Sequence, residues 1–113
     1  MKIGETIRQG DVLLMRVADG TIPAGARPVA RDQGRVVLEW GESTGHSHAV
    51  AEPAAVLLES GTAEAVERWL RVGAGGATLV HEEHGSIVLE PGTYRQAWPF
   101  EYVSDEELRR DLD

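Results

Sequence analysis

The chain has no cysteine among its 113 residues, which removes disulfides, thiolate zinc sites, iron-sulfur clusters and cysteine nucleophiles together. Any metal must rest on His, Asp or Glu. No apolar run approaches the ~20 residues of a spanning helix, so no membrane partner is expected. The opening Met1-Lys2-Ile3-Gly4-Glu5-Thr6 lacks the apolar stretch of a signal peptide, and the expected location is cytoplasmic. Basic residues are few: 11 Lys and Arg against 19 Asp and Glu leave a formal charge of −8. That balance argues against nucleic acid as a partner, because phosphate binding rests on clustered Lys and Arg.

What is present fits an ordinary globular module. A hydrophobic fraction of 42% and a charged fraction of 27% match a folded protein rather than a disordered one. The length suits one domain over residues 1–113 with its own core. Turn signals recur at Asp19-Gly20, Pro23-Ala24-Gly25, Asp32-Gln33-Gly34, Gly41, Ser60-Gly61, Gly73 to Gly76 and Pro91-Gly92. Between them, Val12–Val17, Val36–Trp40, His46–Ala51, Val56–Glu59, Ala77–His81, Ile87–Leu89 and Tyr94–Trp98 are rich in β-branched and aliphatic residues and predict strands. Residues 62–72 fit both helical spacing and alternation, with a strand favoured over Arg68–Val72. Ser104-Asp105-Glu106-Glu107 is a capping-box pattern, and Arg109 and Arg110 follow at the far end, predicting a short C-terminal helix. The expected fold is all-β: a small single-domain β-barrel or sandwich with that helix appended.

The most pointed chemistry lies in the histidines. All four fall in two clusters, Gly45-His46-Ser47-His48 and His81-Glu82-Glu83-His84. Neutral imidazole binds zinc, iron, nickel and copper well, so clusters brought together by the fold make a metal site. On a strand, His46 and His48 point to one face and can aim at one ion. His81 and His84 are three apart and share a site only if the chain bends, which Gly85 makes credible before Ile87. Glu82 or Glu83 is then a ligand, a support for a ligand, or a general base beside an activated water. The string differs from the helical His-Glu-x-x-His motif, whose histidines stand four apart. Trp40, Trp69 and Trp98, with Tyr94, Phe100 and Tyr102, fit packing better than a ligand pocket, and Asp11 fits a turn opening a strand.

Gly41, His46, His48, Glu52 and Gly61 together resemble the first metal-binding motif of the cupin superfamily. The resemblance implies a small β-barrel in which the two histidines and the glutamate bind a metal with a third histidine from a second motif. Pro91-Gly92 is similar to the turn of that motif, although no histidine follows His84. The combination of Gln9-Gly10-Asp11-Val12-Leu13-Leu14, Gly-His-Ser-His and His-Glu-Glu-His-Gly also resembles small bacterial proteins of unassigned function.

The leading expectation is a small metal-dependent enzyme, with His46, His48, His81 and His84 as candidate ligands and Glu82 and Glu83 as candidate catalytic groups. The cofactor is a divalent metal, zinc first, with iron, nickel or manganese as alternatives. The chemistry is hydrolysis or hydration of a small-molecule substrate, or oxygen chemistry with iron. A closed shell of four histidines would instead point to a noncatalytic metal-binding or scaffold protein, with a homo-oligomer as one form. The third expectation is metal-free acid/base chemistry by paired histidines on a phosphodiester such as RNA.

Overall fold

A computed structural model describes residues 1–41, 45–62 and 64–97. Among the described residues there are ten strands: β1 Thr6–Gln9, β2 Val12–Val17, β3 Arg27–Pro28, β4 Val36–Trp40, β5 Ser47–Val50, β6 Ala55–Thr62, β7 Ala65–Val72, β8 Ala77–Val80, β9 Ile87–Leu89 and β10 Gly92–Ala97. They form two antiparallel sheets, a larger one in the order β1-β2-β10-β7-β6-β3 and a smaller one in the order β4-β5-β8-β9. The architecture is a sandwich and not a closed barrel. Among the described residues the only helical element is a 3-10 turn at Asp19–Thr21, and no helix is long and apolar enough to cross a membrane. The helix expected after Ser104, together with Trp98, Phe100 and Tyr102, lies outside the described residues.

The core follows from alternation. Val12, Leu14, Leu57, Leu70 and Tyr94 of the larger sheet pack against Val36, Leu38, Val50, Leu79 and Leu89 of the smaller one. Leucines buried this fully contribute about 1.5–3 kcal/mol each relative to exposure. Within the ambiguous stretch Ala65–Val72 is strand, because register pairs Ala55 with Val72 and Leu57 with Leu70, so both strands of the hairpin bury the same face. Leu13, paired with Ala97, and Trp69, paired with Leu58, are buried on the opposite face of the larger sheet.

β4 carries an irregularity between Val37 and Glu39. The carbonyl of Leu38 at that point accepts hydrogen bonds from Gln96 Nε2 at 3.2 Å and Arg68 Nη1 at 3.3 Å, both from the opposite sheet. A bulge that frees a backbone acceptor thus has it satisfied across the core.

The β1–β2 hairpin reaches the histidine clusters. Gly10 and Asp11 join Gln9 to Val12, and Gly10 has φ +56° at the first central position, where a type II′ turn favours glycine. This hairpin closes the edge of the larger sheet and reaches the β8–β9 loop of the smaller one.

Candidate functional site

Both histidine clusters meet at this seam. β8 ends at Val80, and the chain bends at Glu82, Glu83 and His84 before β9 begins at Ile87. The bend returns His84 toward His81, with ring centroids 4.7 Å apart. From the smaller sheet, His48 of β5 brings its ring to 4.3 Å from His81 and 5.9 Å from His84. His46, just before β5, stands edge-on to His81 at 5.8 Å. His81 is therefore the hub of the four rings.

One subset has the compactness of a metal shell. His46, His81 and Glu82 each offer a ligand atom, and these atoms lie within 4.8 Å of one another. The His81 side chain is 6% exposed, whereas Glu82 is 39% and His46 28% exposed, so the group opens to solvent on the His46 and Glu82 side. Among the described residues no such group includes His48 or His84. Glu83 lies outside it too, with Oε1 3.4 Å from Nδ1 of His46.

Glu82 is held in place by the backbone. The Ser47 N–H donates to its carboxylate, 3.0 Å from Oε2 and 3.3 Å from Oε1. That contact first, then its own backbone N–H, holds the carboxyl below the usual glutamate range. Trp40, opposite Ser47 in the ladder, is exposed at the rim. Glu52, the acid of the cupin-like pattern, accepts the Thr78 N–H at 3.0 Å and so braces β8.

His48 is buried among polar partners. Its Nδ1 stands 2.8 Å from Gln9 Oε1, while Gln9 Nε2 donates to the carbonyls of Leu79 at 3.0 Å and Gly85 at 2.9 Å. Burial, then the neighbouring His81 and His84, push the His48 imidazole below its ordinary value; Asp11 and Glu82 act in the opposite sense. His81 Nδ1 faces the chain itself and accepts the N–H groups of Glu83 at 3.0 Å and His84 at 3.3 Å. Gly10 closes the floor: a Cβ there would lie 2.7 Å from His84 Nε2 and 3.1 Å from His48 Cε1.

The histidines and acids stand out in the sequence, whereas Gln9 and Gly10 carry no mark of a place at the site. Gln9-Gly10-Asp11 reads as a turn, and nothing in a single sequence says that its glutamine reaches another sheet. Residues 8–97 match the model of one protein family, a domain of unknown function, DUF8820. The chain belongs to this family. The DUF8820 match takes in all four histidines, Glu82, Gln9 and Gly10, so the seam lies wholly within the family domain. No curated protein and no solved structure matches the chain.

Proposed function

We propose that this protein binds a single divalent metal ion, zinc first, on His46, His81 and Glu82, and uses it in the chemistry of a small-molecule substrate. The observation that carries this reading is the convergence of three ligand atoms within 4.8 Å from two separate segments of chain. Two imidazoles and one carboxylate leave coordination positions for water, as in catalytic rather than structural zinc sites. The same donor set suits iron, and manganese and nickel remain within its range.

When bound, such an ion acts as a Lewis acid and activates water for hydrolysis or hydration. The residues have separate tasks. Ser47 N–H fixes the Glu82 carboxylate as an anionic ligand, and Glu83, beside His46 on the open side, is placed to relay a proton. Of the ligands that the cupin-like pattern implied, only His46 belongs to this group, and Glu82 rather than Glu52 supplies its carboxylate.

His81 sets a condition. Because its Nδ1 accepts two backbone N–H groups, its neutral ring carries the proton on Nε2, and His81 would hold an ion through Nε2 only with that proton on Nδ1 instead. The turn at 82–84 then has to release those contacts.

The test is elemental analysis of untagged protein, repeated on His46→Ala and Glu82→Ala. About one equivalent of metal in the parent, reduced in both variants, is the expected result. No metal in the parent after reconstitution, or undiminished metal in both variants, overturns the reading.

A further inference from the structure

We infer that Gln9 is a positioning residue: it locks His48 into the tautomer that keeps the Nε2 lone pair free, making His48 a preset fourth donor beside His46, His81 and Glu82, with water then entering at a fifth position. The inference rests on the metal-binding reading above for the identity of the ligand, but its geometric half stands on the metal-free protein.

Hydrogen-bond capacity fixes the amide of Gln9. A glutamine amide has two N–H donors and one carbonyl acceptor, whose oxygen and nitrogen are told apart by their partners. Here the nitrogen faces two backbone carbonyls, Leu79 O at 3.0 Å and Gly85 O at 2.9 Å, neither of which can donate. Both N–H groups are thereby assigned, and the orientation of the amide is fixed from the smaller sheet. Oε1 is left facing His48 Nδ1 at 2.8 Å. An oxygen cannot donate there, so Nδ1 carries the ring proton. In the neutral ring Nε2, across Cε1, then holds a lone pair, and among the described residues no hydrogen bond engages it.

This is the arrangement found around metal-ligating histidines, whose second ring nitrogen donates to a fixed acceptor that sets tautomer and ring orientation. His48 differs in this from His81. His81 must shift a ring proton before its Nε2 can meet a cation, whereas His48 needs none. The ring of His48 lies 4.3 Å from that of His81; its nitrogens fall outside the 4.8 Å group of His46, His81 and Glu82, so His48 would join that group only as the ligands draw in around an ion. Gly10, adjacent to Gln9 and without a side chain, lets the rings of His48 and His84 approach the hairpin. A single turn therefore supplies both the clamp and the space.

The experiment reads the tautomer directly. Long-range proton-nitrogen correlation spectra of the metal-free protein, taken above the imidazole titration range, are expected to show His48 protonated at Nδ1 in the parent. In Gln9→Leu, with fold checked by backbone amide dispersion, the tautomers mix and cobalt affinity drops about 10- to 100-fold. In Gln9→Glu, one carboxylate oxygen still accepts from His48 Nδ1 and the Nδ1 tautomer is expected to persist, while the other oxygen faces the Leu79 and Gly85 carbonyls, so the affinity returns only in part. An Nε2-protonated His48 in the parent overturns the inference, as does unchanged cobalt affinity in a folded Gln9→Leu protein. Should Gln9→Leu fail to fold, the parent spectrum and Gln9→Glu decide the matter. A parent that takes up no cobalt defeats the metal reading and with it the ligand role of His48, while its nitrogen spectrum still decides whether Gln9 sets the tautomer.

Discussion

Gly10 and His84 touch across the two sheets: a Cβ on Gly10 would stand 2.7 Å from His84 Nε2. Gly10 also has φ +56°, a left-handed conformation that costs an L-residue about 1–2 kcal/mol. Gly10→Ala is therefore expected to destabilise the fold by about that amount and to displace His84 from the cluster. Urea denaturation measures the first effect, and nitrogen shifts of the His84 ring measure the second. A variant as stable as the parent with an unmoved His84 would contradict the close packing of hairpin and cluster.

In the proposed metal site Glu82 would serve through charge, while its position comes from the Ser47 N–H at 3.0 Å. Glu82→Gln retains an oxygen to accept that N–H but loses the anion, so the fold is expected to survive and metal affinity to fall at least tenfold, about 1.4 kcal/mol. Cobalt titration with circular dichroism as the structural control separates the two. Equal affinity in parent and variant would remove Glu82 from the shell.

The direction of the His48 shift gives a pH dependence for the metal-free protein. Its folded value lies below the ordinary 6.5, chiefly through burial. Above about 6.5 both folded and unfolded chains hold this imidazole neutral, and no penalty applies. Below it the unfolded chain takes a proton that the folded chain still refuses, so stability falls with pH until the folded ring itself is protonated. Urea midpoints in the presence of a chelator are expected to decline below that value, with a shallower decline in His48→Gln. An identical slope in the variant would show that His48 does not contribute.

Tyr94 tests the core independently of the site. Its ring is fully buried, and its hydroxyl donates to the Glu90 carbonyl at 2.7 Å. Tyr94→Phe keeps the packing and leaves that acceptor unpaired, for an expected loss of about 1–2 kcal/mol. Metal affinity should stay at the parental level, which cobalt titration checks.

How far these relationships were legible in the sequence depends on how local their cause is. β2, β4 and β9 are read correctly because aliphatic runs bounded by turn residues need no distant information. β1 escapes notice because Thr6-Ile7-Arg8-Gln9 buries a glutamine rather than an aliphatic side chain at its end. β3 is only two residues long, and its pairing with β6 leaves no pattern to read. The division into a six-stranded and a four-stranded sheet is likewise a matter of long-range pairing. At the site, the histidines were conspicuous by type and spacing, but the tighter grouping of His46 and His81 with Glu82 depends on where Ser47 N–H points. The clamp from Gln9 depends on three partners in other strands and loops, which no local pattern encodes.

The proton on His81 yields the sharpest consequence for metal loading. Its Nδ1 has one lone pair, now shared between the N–H groups of Glu83 and His84 at 3.0 and 3.3 Å. A cation held on Nε2 would leave the ring proton on Nδ1, where it would meet two donors and no acceptor, so contacts that hold the turn would become repulsive. The turn is exposed at Glu82, Glu83 and His84, and water can satisfy the released N–H groups at small cost. Zinc is therefore expected to shift the Glu83 and His84 backbone amide resonances and speed their hydrogen exchange, while amides of the β6–β7 hairpin stay unchanged. The same experiment on His81→Ala should show no zinc-dependent change at these two positions. Stoichiometric zinc binding with both amides unmoved in the parent would mean that His81 keeps its proton on Nε2 and stands outside the metal shell.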